Sequence, residues 1–158
     1  MNSAHTMLQS QLAVNLEGKR MFHQAVRSIC SSAGWKEPQA DENGVYAFTL
    51  EGDMAFTLAS PDGERLLARA VLLDPQSEAN GSAGQEVAAD TLKAVMRITA
   101  ARFAELKAVP ALNQKTQELE IYDSIPLRPD GNANAAHIEF VEGFLNDLAF
   151  WKAQPVFN

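Results

Sequence analysis

The chain has 158 residues, 46% of them hydrophobic and 21% charged, with 20 acidic against 13 basic side chains and a formal net charge of −7. That size and apolar fraction suit one domain over residues 1–158 with a real core. The acidic balance speaks against a nucleic-acid binder, which needs a basic patch to displace counterions from phosphates, and against electrostatic docking on anionic lipid. The single cysteine, Cys30, excludes an intrachain disulfide and a cysteine-rich zinc site.

Residues 1–15 are polar and read as a flexible, frayed segment. Met1 to Leu16 lacks both the basic start and the continuous apolar core of a signal peptide. No run approaches the roughly 20 apolar residues of a spanning helix. Asn80-Gly81-Ser82 matches a glycosylation acceptor, which means little without a secretory signal. A cytoplasmic protein without membrane insertion is the expectation.

A first helix becomes credible near Leu16, with Phe22, Val26, Ile29 and Cys30 on one face at three- and four-residue spacings and Gly34 as its stop. After a loop broken by Pro38, Asp41 to Pro75 reads as three antiparallel strands. Tyr46, Phe48 and Leu50 alternate with Val45, Ala47 and Thr49; Met54, Phe56 and Leu58 alternate with Ala55, Thr57 and Ala59; Arg65 to Leu73 follows. Glu51-Gly52-Asp53 and Pro61-Asp62-Gly63 supply the turn residues.

Residues 75–86 are small and polar and read as a flexible internal connection. A second helix over about 87–106 carries Leu92, Val95, Met96, Thr99, Phe103 and Leu106, widened by Ile98, which is more than one buried face requires. Val109–Leu112 and Leu119–Leu127 predict two more strands, with Pro110 and Pro126 at edges or ends. Asp130-Gly131-Asn132 reads as a turn and Asn134 as the N-cap of a final helix bearing Ile138, Val141, Phe144, Leu145, Leu148 and Trp151. The fold class is therefore α+β: an antiparallel twisted sheet of about five strands with three helices, ordered helix, three strands, helix, two strands, helix.

Chemistry is sparse. His5, His23 and His137 form no HExxH pair, so no metal site is predicted, and His23 reads as a boundary side chain. Asp130, Asn132 and Asn134 alternate as in a calcium loop, but Ala135 stands where glycine is needed and Val141 where a carboxylate is needed. Gly18-Lys19 lacks the glycine that would open a phosphate loop, since Ala13 occupies that position, and no G-x-S-x-G elbow occurs. Cys30 on an apolar helical face reads as a packing residue. The carboxylates Asp41, Glu42, Glu51, Asp53, Glu118, Glu120 and Asp123 fall in turns or on polar strand alternations, where solvation is the default. No enzyme and no cofactor is expected.

What remains is apolar surface. Opposite the aromatic strand face lie Val45, Ala47, Thr49, Ala55, Thr57, Ala59, Leu67 and Val71, a mild face poorly suited to bulk water. Together with the wide second helix, this favours a binding protein that dimerises. The alternative from the residues alone is a small ligand-binding protein or enzyme using a sheet pocket.

The element order resembles the class I type III secretion chaperones, the CesT-like or Tir chaperone family. The likeness runs from about Leu16 to Trp151. It rests on Asp41 to Leu50 as an acidic turn entering the first strand, on Ala111 to Tyr122 as the fourth and fifth strands, and on Phe140 to Trp151 as the closing helix. The chain departs from that pattern at Arg97–Arg102 and Lys107–Pro110. Such a resemblance implies a homodimer that binds an extended N-terminal segment of effector proteins, keeps it secretion-competent and delivers it to the export apparatus, with the secretion-system ATPase as a further partner. A broad-specificity effector chaperone in the bacterial cytoplasm is the subgroup it suggests, and a regulatory anti-activator binding another secretion-system protein is the alternative role it implies. It also implies partner contacts at Phe22, Val26, Ile29, Ala47, Thr57 and Leu67, and a dimer interface at Leu92, Met96, Thr99 and Phe103.

Overall fold

The computed structural model describes residues 3–77, 86–128 and 133–158. Helix α1 spans Ser3–Ala33. It stops where Gly34 takes φ +70°, and the Trp35 N–H reaches back to the Cys30 carbonyl at 2.9 Å, a Schellman closure. Its start differs from the expectation. The frayed segment is helical from Ser3, and its apolar side chains Met7, Leu8, Leu12, Val14 and Leu16 are exposed.

Strands β1 (Tyr46–Leu50), β2 (Met54–Ala59) and β3 (Arg65–Leu73) follow as the alternation predicts. Helix α2 (Ala89–Arg102), β4 (Val109–Leu112), β5 (Leu119–Pro126) and α3 (Ala133–Lys152) complete the chain, with a short 3-10 turn at Pro155–Phe157. The five strands form an antiparallel sheet in the order β1-β2-β3-β5-β4. In the β4–β5 pair, Val109 faces Tyr122 and Leu112 faces Leu119.

Three turns explain the strand boundaries. Gly52 and Asp53 both take positive φ between β1 and β2, the requirement of a tight hairpin. The Asp62 carboxylate accepts the Glu64 and Arg65 N–H groups at 2.9 and 3.0 Å and closes the turn into β3. Asn113 does the same between β4 and β5, accepting from Lys115 and Thr116.

Helix α2 is shorter at both ends than the periodicity predicts. The Lys107 and Ala108 N–H groups donate to the Asp147 carboxylate at 2.9 and 2.8 Å, which draws the chain out of the helix and into β4. Asn134 lies inside the first turn of α3 rather than capping it. The Asp130-Gly131-Asn132 turn, the Asn80-Gly81-Ser82 match and most of the 75–86 connection lie outside the described residues.

The chain divides into two compact units: residues 1–47, 58–67 and 124–141, and residues 48–57, 68–123 and 142–158. In the first, Phe22, Ala25, Val26, Ile29, Leu58, Leu66 and Val141 are buried. In the second, Phe48 and Phe56 stack with ring centroids 4.9 Å apart, Phe56 meets Phe144, and Leu119, Ile121, Leu148 and Trp151 are buried.

Candidate partner and dimer surfaces

In the first unit, α1 is fixed against the turn before β3 by bare backbone. A Cβ on Gly18 would stand 2.3 Å from the Gly63 carbonyl oxygen, so only glycine permits the approach. Four residues on, Phe22 meets the Tyr46 ring edge-on at 5.6 Å, and the His23 ring meets it at 5.6 Å as well. The Tyr46 hydroxyl and His23 Nδ1 share a hydrogen bond at 2.5 Å. Burial, reinforced by the Glu37 charge, pushes the Tyr46 phenol above its ordinary value, so the hydroxyl stays protonated. The same two causes, in the same order, push the Cys30 thiol up, which suits the packing role expected of it. An open groove of about 780 Å3 runs beside His23 and Tyr46.

Phe22, Val26 and Ile29 share one face of α1, but that face is the core: all three are buried. The reason is simple, because an amphipathic helix has one apolar stripe and the fold consumes it. Ala47 at the start of β1 is exposed and Leu67 in β3 is half-buried.

In the second unit, Leu92, Met96, Thr99 and Phe103 fall on one stripe along α2 at spacings of four, three and four. Leu92 and Thr99 are half-buried, with the Thr99 hydroxyl donating to the Val95 carbonyl at 2.8 Å. Met96 and Phe103 are 70% and 78% exposed. Val95, one position away, is the side chain that α2 buries. Helix α2 packs beside β4, whose Val109 and Leu112 are exposed too, so four large apolar side chains stand on two touching elements. Phe103 sits at the C-cap, held in the helical region at φ −57°. Thr57, in β2, is half-buried.

The solvated-carboxylate default fails most sharply at one position. Glu120 in β5 is completely buried. Its carboxylate accepts from Arg69 Nη2, from the Tyr122 hydroxyl and from Asn113 Nδ2, the last at 3.3 Å. Arg69 also donates to Glu118 at 3.0 Å. Those hydrogen bonds, led by the one to Glu120, hold the Arg69 guanidinium charged more firmly than usual. Alternation along β5 cannot reveal this, because Arg69 lies 51 residues away in the chain.

Among the described residues, no group of three or more His, Cys, Asp or Glu side chains could hold a metal ion, and no helix is long and apolar enough to cross a membrane. A chain of the ExsC–ExsE complex is similar in fold, with TM-score 0.58 and 13% identity over 82% of this chain and 89% of that one. The HopA1–SchA chaperone–effector complex contributes another likeness, with TM-score 0.60 and 15% identity over 86% of this chain and 96% of that one. Curated protein sequences give no match. The Tir chaperone protein (CesT) family model matches residues 24–151, from within α1 to Trp151 at the end of α3, and the chain belongs to that family.

Proposed function

We propose that the protein is a homodimeric, cytoplasmic type III secretion chaperone that binds an extended N-terminal segment of effector proteins and hands it to the export apparatus. The family match over 24–151 carries this reading. Unfolded client is held by side-chain pockets and backbone hydrogen bonding at a sheet, with no reaction catalysed. The two fold neighbours are complexes of two proteins, and one of them is named as a chaperone with its effector.

The division of labour follows exposure. Met96 and Phe103 on α2, with Val109 and Leu112 on β4, are large apolar side chains that water hydrates poorly, and a second copy is the occupant that removes them from it. Leu92 and Thr99 flank them on the same stripe. Ala47, Thr57 and Leu67 are the accessible client positions, while Phe22, Val26 and Ile29 support the client-facing side of α1 from beneath. The secretion-system ATPase is the proposed recipient of the loaded chaperone.

Co-expression with an effector encoded in the same genome tests the reading. A stable complex that protects the effector's N-terminal segment from proteolysis is expected, with two chaperone copies per effector. An effector that stays equally protease-sensitive with and without the chain overturns it.

A further inference from the structure

The groove beside Tyr46 has a charge opposite to the rest of the molecule. Its lining includes Leu16, Lys19, Arg20, His23, Arg27 and Tyr46, and no carboxylate. Three of the chain's 13 cations thus converge on one cavity of a protein with net charge −7. Arg20 leans on Glu17 at 3.5 Å and Arg27 on Glu37 at 3.6 Å, both in pairs with well-exposed arginines, while Lys19 has no carboxylate partner among the described residues. Exposed pairs of that kind are weak and exchange readily for a better anion.

The spacing gives the ligand its form. Lys19, His23 and Arg27 follow each other every four residues on α1, which is about 6 Å of helix rise per step. An extended peptide advances about 6.6 Å for every two residues. Side chains on one face of such a peptide therefore meet Lys19, His23 and Arg27 in turn. The groove floor from Leu16 to Arg27 is about 16 Å long, which matches roughly five extended residues. At the central position, the Tyr46 hydroxyl engages His23 Nδ1, so Nε2 is the ring nitrogen left to meet a ligand. The Leu16 side chain is exposed at one end, an apolar contact for the peptide stem.

We propose that this groove binds an acidic peptide segment, with Asp or Glu at alternate positions of an extended chain, and that it is the charge-reading part of the client site; the proposal rests on the chaperone reading above. A polynucleotide or an anionic membrane fits less well. Both present long runs of negative charge that the remaining acidic surface repels, whereas a five-residue segment meets only the groove.

The test is fluorescence anisotropy with the full-length protein and a labelled peptide carrying glutamates at three alternate positions, against the same peptide with glutamines. The glutamate peptide is expected to bind at least about tenfold more tightly, and added salt should erase the difference. Lys19→Glu with Arg27→Glu should lose at least about tenfold for the glutamate peptide while leaving circular dichroism and the glutamine peptide unchanged; both side chains are exposed, so folding is not at stake. Equal binding of the two peptides, or unaltered binding by the double variant, overturns the proposal. So does an oligonucleotide or a phosphatidylserine vesicle that binds tighter than the peptide through the same two residues. An effector N-terminal segment serves as the parallel probe. If wild-type protein retains that segment but ignores the acidic peptide, the groove assignment fails and the chaperone reading stands; if it retains neither, both fail.

Discussion

Arg69→Met isolates the buried charge in the sheet. Glu120 is fully buried, so removing its arginine leaves a carboxylate with only the Tyr122 hydroxyl and Asn113 Nδ2 as donors. Breaking a buried pair from one side costs about 3–5 kcal/mol. The lower end applies here, because Arg69 is itself 32% exposed and two other donors remain on Glu120. For a chain of this length, about 2–4 °C is lost per kcal/mol, so a loss of about 3 kcal/mol should lower Tm by roughly 6–12 °C. The double variant Arg69→Met with Glu120→Gln should recover more than half of that, since glutamine keeps an acceptor for Tyr122 without a charge to compensate. Urea titration of the four proteins gives the coupling energy directly. If Arg69→Met costs under about 1 kcal/mol, or if the two substitutions simply add, the claim that Arg69 neutralises Glu120 is wrong.

Other outcomes follow from single contacts. Phe103→Asp should reduce the mass seen by light scattering from twice 17.2 kDa to 17.2 kDa without loss of helicity, and an unchanged mass would remove α2 from the dimer interface. Gly18→Ala forces the new methyl against the Gly63 backbone, an overpacking worth about 1–3 kcal/mol; a variant as stable as wild type would mean that α1 shifts freely there. The Asp62 carboxyl is held below its ordinary value of 3.8 by the Glu64 and then the Arg65 backbone N–H. A depressed folded value adds stability above the unfolded pKa and loses it as pH falls through the folded one. Urea midpoints for wild type and Asp62→Asn should therefore differ at pH 7 and converge as pH falls below the ordinary value of 3.8; a gap that does not narrow would show that Asp62 acts through shape alone.

The order of elements was legible because each strand and helix writes its own period. Tyr46, Phe48, Phe56 and Leu58 alternate cleanly, and Leu148 and Trp151 fall where a helical stripe requires, so those side chains are buried as expected. Boundaries set by distant partners were not legible. Nothing in Phe103 to Leu106 announces that α2 stops early, because Asp147 imposes the stop from forty residues away. Gly18 stood out in the sequence only within Gly18-Lys19, an incomplete phosphate-loop match, since the Gly63 backbone it approaches is visible only in three dimensions. The cationic stripe of α1 was overlooked for a different reason. Lys19, Arg20 and Arg27 look like ordinary solvated helix residues until Tyr46 and the bound His23 give them a wall. Burial of Phe22, Val26 and Ile29 reflects the same ambiguity, because an apolar stripe cannot say whether its partner is the chain itself or a visitor.

The outer strand β4 is only four residues long and has proline as its second residue. A prolyl nitrogen cannot donate, so this rim of the sheet is a poor template for another strand to zip onto. Side-chain contact is therefore favoured at this rim over ladder extension, which has no natural end. For a member of a chaperone family, a rim that resists strand-by-strand growth is a safeguard against assembly without limit.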